Sequence, residues 1–157
     1  MTLALWPPYS TKDATPVLCV DVNVLVDAFR PDAPDHESVR AWLDAARRGP
    51  ERVIVLPEVA SSFVRIVTNR RIWRLPSPAT DALAFVDALG RSPSVDLRHA
   101  GPRQWELMAG LMTDLGLSGD DVPDAYLAAA AIELGCTFVT SDRGFARFPQ
   151  LRVLRPT

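Results

Sequence analysis

The sequence predicts an α/β domain, a three-layer α/β/α sandwich in which a short parallel β-sheet is covered by helices on both faces. Three observations carry that expectation. Short apolar runs rich in strand formers alternate with segments of helical periodicity. No tight hairpin signal joins neighbouring runs, so consecutive strands need right-handed crossovers. The 157 residues suit one core and are too few for two ordinary ones.

Taken in order, residues 1–15 form an N-terminal appendage outside the core, and the domain is expected over 16–157. Val17 to Val20 is a buried strand with Asp21 directly at its end. Asn23 to Phe29 leaves room for about two helical turns before Pro31 and Pro34 stop it. From Asp35 the positions Val39, Trp42, Leu43 and Ala46 repeat with helical spacing until Gly49-Pro50. Val53 to Leu56 is the second strand. Pro57 then opens a helix with Val59, Phe63, Ile66 and Val67 on one face. A further helix spans Ala79 to Leu89, Ser94 to Leu97 is a weaker strand, and another helix runs from Pro102 to Leu115. The turn Ser118 to Asp121 leads into the alanine-rich helix Asp124 to Leu134, opened by Pro123 and ended by Gly135. Thr137 to Thr140 is a strand ending at Ser141-Asp142, and Val153-Leu154 is a last short one.

Composition narrows the function classes. No apolar run approaches the roughly 18 to 20 residues that span a bilayer, and the start lacks the basic region of a secretory signal, so a cytoplasmic protein without a membrane partner is expected. A formal net charge of −2 argues against coating nucleic acid through bulk positive potential. Lys12 is the only lysine, whereas arginines form two groups: Arg65, Arg70, Arg71 and Arg74, then Arg143, Arg147, Arg152 and Arg155. Such groups suit phosphate contacts, but they equally suit an arginine-rich genome. Cys19 and Cys136 lie in apolar runs and read as reduced, buried thiols.

In open parallel sheets ligands bind beyond the C-terminal strand ends. Asp21 and Asp142 each follow a strand, and Glu58 and Asp124 lie in first turns of helices that begin at the same edge. Helix N-termini favour a carboxylate by only about 0.3–1 kcal/mol, less than the repulsion of gathering four. Clustered carboxylates either share protons or bind a cation, and an all-oxygen set favours Mg2+ or Mn2+ over Zn2+. Glu58 or Asp124 taken singly is more often a structural helix-terminus acid than a catalytic one; four at one edge are much harder to dismiss in that way.

The segments VDVNVLVDAF at 20–29, LPEVASSFVRIVTN at 56–69 and VPDAYLAAAAIELGCTFVTSDRGFARFP at 122–149 resemble the PIN-domain ribonucleases, specifically the VapC toxins of type II toxin–antitoxin modules. The resemblance implies a PIN-like fold and metal-site acids at Asp21, Asp124 and Asp142. Glu58 completes the cluster, bound directly or through water, or handles the proton of the attacking water. It further implies supporting polar groups at Asn23 and Thr140, and an endoribonuclease that needs Mg2+ or Mn2+. Such an enzyme cleaves structured RNA of the tRNA or rRNA class and stops translation. A cognate VapB-type antitoxin and a homodimer belong to the same expectation. Some relatives carry one more acid where this chain has Gly144, and Asp121 adds one before Asp124, as an alternate ligand or a solvated loop residue.

Arg143 and Arg147, just past Asp142, are candidates for the RNA backbone. Trp42 and Trp105 fall on apolar helical faces and are expected to be buried; Trp73, before Pro76, is the one candidate for exposure, with antitoxin contact, RNA contact and simple packing all open. The alternative to a nuclease is a catalytically silent PIN-like binding module, which would be expected to have lost acids. A phosphatase using Asp21 as nucleophile commonly wants an aspartate where Asn23 stands.

Overall fold

The computed structural model describes residues 16–157; the expected appendage 1–15, with Leu5, Trp6 and Lys12, lies outside the described residues. The chain runs β1 (Val17–Val20), α1 (Val22–Phe29), α2 (His36–Ala46), β2 (Arg52–Val55), α3 (Pro57–Val67), α4 (Ala79–Gly90) and β3 (Val95–Leu97). It continues through α5 (Gln104–Leu115), α6 (Val122–Glu133), β4 (Thr137–Val139) and β5 (Arg152–Leu154).

All four pairings in the sheet are parallel, in the order β3-β2-β1-β4-β5. The chain therefore winds outward from β1 to β3, crosses back over the sheet, and winds outward again through β4 and β5. Right-handed crossovers in opposite directions put α1 to α4 on one face and α5 with α6 on the other, which is the expected three-layer sandwich. The reversal falls between β1 and β4, and a crevice opens at that switch point at the C-terminal strand ends.

Local chemistry sets the elements around this crevice. Leu18, Cys19 and Val20 of β1 and Phe138 and Val139 of β4 are buried, as central strands covered on both faces must be. Helix α3 starts at Pro57, whose missing N–H costs nothing at a helix start, and buries Val59, Ala60, Phe63 and Val67. Helix α6 buries Ala125 and Ala128 to Ala131 completely, small side chains that let its backbone lie close to its neighbours. It ends at Gly135, whose φ of 66° allows the Cys136 N–H to reach the Ala131 carbonyl at 2.9 Å.

The structure corrects the assignment of Trp105 and, of the alternatives open for Trp73, favours packing. Trp105 is 70 % exposed, because α5 turns Gln104, Met108 and Leu111 inward instead. Trp73 is packed: its Nε1 donates to the Ile66 carbonyl at 3.1 Å and the Arg30 guanidinium stacks 4.1 Å from its ring. Buried Arg30 also donates to the Leu75 carbonyl, Ser77 and Asp32, pinning the segment after α3 to the end of α1. Trp42 is partly buried against the core, nearer to expectation.

Candidate active site

Asp21 is the residue about which the crevice is organised. It caps α1, its Oδ1 accepting the Val22 N–H at 2.7 Å, and it is only 4 % exposed. Its Oδ2 accepts from the Thr140 hydroxyl at 2.7 Å and from Asn23 Nδ2 at 3.1 Å. Thr140 Oγ1 in turn accepts from Asn23 Nδ2 at 3.0 Å and from the Asp142 N–H at 3.0 Å. Asn23 Oδ1 accepts the Ser141 N–H at 3.2 Å. These bonds form one net across β1 and β4, fixing the Asp21 carboxylate and the backbone of Asp142 with respect to each other. The Asp21 N–H bond to the Val139 carbonyl at 2.9 Å continues the sheet into that net.

Burial pushes the Asp21 carboxyl above its usual pKa, the bonds from Thr140 and Val22 pull it back, and the charges of Asp124 and Asp142 push it up further. Both acids are thus within electrostatic reach of Asp21. Asp142 is exposed, and its Oδ1 accepts the Gly144 N–H at 2.8 Å, which fixes the turn that follows.

Glu58 stands one step away. It is half-buried in the first turn of α3 and shares a cleft with Val22, Ser62, Pro123 and Tyr126, so it faces the starts of α1 and α6. Its charge bears on buried Cys19 and is not among those bearing on Asp21. Its Oε1 lies 3.4 Å from Gln104 Nε2, a group that also donates to the Tyr126 carbonyl at 3.0 Å. Gln104 is a polar neighbour that sequence reasoning missed. A glutamine at a helix start carries no signal of its own, and only its burial marks it.

Arg147, expected at the RNA backbone, is turned into the edge. Its Nη2 lies 3.0 Å from Asp124 Oδ2 and 3.5 Å from Asp121 Oδ1, and its Nη1 donates to the Gly144 carbonyl at 2.6 Å. Asp121 also completes a capping box with Ser118, so it is neither solvated at random nor aimed at Asp21. Arg143 remains exposed and lines a second cleft with Ser141, Asp142 and Arg155.

The donor chemistry fits a hard divalent cation. The converging groups are carboxylates, an amide and a hydroxyl, while burial holds the thiols of Cys19 and Cys136 protonated. Among the described residues, however, no three acidic, histidine or cysteine side chains are close enough to enclose an ion directly. Such an open arrangement suits Mg2+, which keeps several waters and takes one or two carboxylates directly.

A short parallel sheet with acids at the switch-point strand ends and at adjoining helix starts is an α/β architecture whose candidate site lies where such sheets bind ligands. The PIN-domain family profile matches residues 18–151, and the chain belongs to that family. It is 44 % identical over 137 residues to ribonuclease VapC25 of Mycobacterium tuberculosis, covering 87 % of this chain and 96 % of that protein. It is 42 % identical to ribonuclease VapC31 of the same species over the same shares. Among solved structures, the VapBC2 complex of Rickettsia felis bound to promoter DNA superposes with a TM-score of 0.66 at 16 % identity. That match covers 88 % of this chain and 98 % of that one, a likeness of fold.

No helix of the described residues is long and apolar enough to cross a membrane.

Proposed function

We propose that this chain is a divalent-metal-dependent endoribonuclease toxin of the VapC type that cuts structured cellular RNA, of the tRNA or rRNA class, and so stops translation. In this reading it acts in the cytoplasm as a homodimer, and a cognate VapB-type antitoxin holds it in check. The observation that carries it is the net joining Asp21, Asn23, Thr140 and Asp142 across the switch point, with Asp124 in electrostatic reach. The names of the VapC ribonucleases to which the chain is 42–44 % identical support RNA as the substrate.

Asp21, Asp124 and Asp142 would hold Mg2+ or Mn2+, with Glu58 completing the set through water. Bound there, the ion supplies an activated water and stabilises charge on the phosphoryl oxygens. The chain's own groups do the rest. Thr140 and Asn23 hold the Asp21 carboxylate in one orientation, leaving its remaining lone pairs for the ion. Glu58, steadied by Gln104, is placed to accept a proton from the attacking water. Exposed Arg143 and Arg155, in the cleft beside Asp142, are placed to meet the RNA backbone.

A silent binding module is disfavoured by the retention of all four acids. Expression of the chain with and without its neighbouring open reading frame, with cellular RNA mapped for new 5′ ends, separates the two. The proposal expects new ends and growth arrest that the neighbour suppresses; growth arrest with no new ends would favour binding alone.

A further inference from the structure

Arg147 poses a question that the reaction does not answer: why a guanidinium is folded into an edge whose acids are there to receive a cation. Its placement is built in. A Cβ at position 144 would stand 2.8 Å from Arg147 Nη1 and 3.1 Å from Asp142 Oδ1, so the missing side chain of Gly144 leaves the space that the guanidinium fills. The Gly144 carbonyl takes one of its hydrogen bonds at 2.6 Å, and the guanidinium lies 4.7 Å from the Phe148 ring, itself fully buried. Its Nη2 reaches Asp124 at 3.0 Å and Asp121 at 3.5 Å, while its Nε is buried without a partner. Arginine cannot shed its charge, so the Asp121–Asp124 half of the edge is permanently supplied with one positive charge. The Asp21–Asp142 half receives none: the bonds recorded to those carboxylates come from a hydroxyl, an amide and backbone N–H groups.

We propose that Arg147 is a built-in counter-cation paired with Asp121 and with one oxygen of Asp124, so that a single divalent ion binds, centred on Asp21 and Asp142 with the other Asp124 oxygen completing its site. This rests on the reading of the edge as a metal site and adds to it the number of ions and what limits it. Arg147 is in this sense a positioning residue. It keeps Asp124 turned toward itself, and its charge opposes a second ion and weakens the first.

The test is Mn2+ binding to the full chain without RNA, by calorimetry for affinity and number of ions and by electron paramagnetic resonance for free Mn2+. Thermal melts of each variant confirm folding. Wild type is expected to bind one ion. Arg147→Gln removes the charge and is expected to tighten Mn2+ binding by about tenfold, to admit a second ion, or both. Arg147→Met keeps the aliphatic stem over Phe148 and should behave alike if Gln fails to fold. Arg147→Lys keeps the charge and should stay close to wild type. Two ions bound by wild type, or neutral variants that fold yet bind one ion no more tightly than wild type, would overturn the counter-cation while leaving the metal site standing. Binding by the neutral variants alone would overturn the single-ion site proposed for wild type. Absence of Mn2+ binding in every variant would overturn both it and the metal reading.

Discussion

Asp21→Asn is expected to lower metal-dependent RNA cleavage by about a thousandfold or more while the protein keeps its fold. Asp21 is the one proposed ligand that is almost fully buried, and both its oxygens are already oriented by Val22, Asn23 and Thr140. Asparagine removes the charge that would attract the ion and places an N–H donor where Thr140 and Asn23 point theirs. Folding should survive for an electrostatic reason. The folded-state pKa of Asp21 lies above the ordinary 3.8, raised chiefly by burial, so the folded state holds that proton more tightly than the unfolded one. Ionising Asp21 therefore costs stability as pH rises through the window between the two values, and above it the cost is fully present. Asparagine carries no such cost at neutral pH, which offsets the hydrogen bonds it loses. Cleavage assays beside thermal melts of the metal-free variant check both halves. Undiminished cleavage by a clean preparation would contradict the assigned role.

The second large effect is one of packing. Phe145→Ala is expected to destabilise the protein by about 3–5 kcal/mol in denaturant titration. Phe145 is 1 % exposed, and its ring stands 4.7 Å from Phe138 of β4 and 5.9 Å from Phe148. It is the anchor of the short 3-10 turn Arg143–Arg147, which starts directly after Asp142 and ends with the arginine that holds Asp124. A cavity there loosens Asp142 and Arg147 together. A loss below about 1 kcal/mol would mean that the turn is held by the Asp142 and Arg147 hydrogen bonds instead of by the ring.

The strands and their acids were legible because short apolar runs ending in Asp21 and in Ser141-Asp142 admit few other readings. Parallel pairing was legible too, since helices fill the gaps between the strands from β1 to β4 and no tight hairpin signal joins any two. Strand order was not, and it is the order β2-β1-β4 that sets Thr140 beside Asp21. The orientation of α5 was misread for a reason of the same kind. Trp105, Met108 and Met112 repeat as regularly as Gln104, Met108 and Leu111, and the second set faces inward because Tyr126 and Glu58 offer acceptors to the Gln104 amide. Hydropathy ranks a tryptophan above a glutamine at a buried position, but a buried hydrogen-bonding demand reverses that order here. Arg147 was singled out from the sequence as a backbone-phosphate candidate, but its pairing with the acids was not legible. Its partners Asp121 and Asp124 precede it by 26 and 23 residues, and no local pattern marks an arginine as a counter-ion instead of a phosphate ligand.

The assignment of the acidic edge as a metal-dependent nuclease centre is tested most directly by removing the ion and returning it. Purified wild-type protein, freed of divalent ions with a chelator, should cut a structured cellular RNA pool at no more than background. Added Mg2+ or Mn2+ should then restore discrete new 5′ ends, and Ca2+, a larger ion with looser geometry, should restore far fewer. Cleavage that persists unchanged in excess chelator would contradict the account.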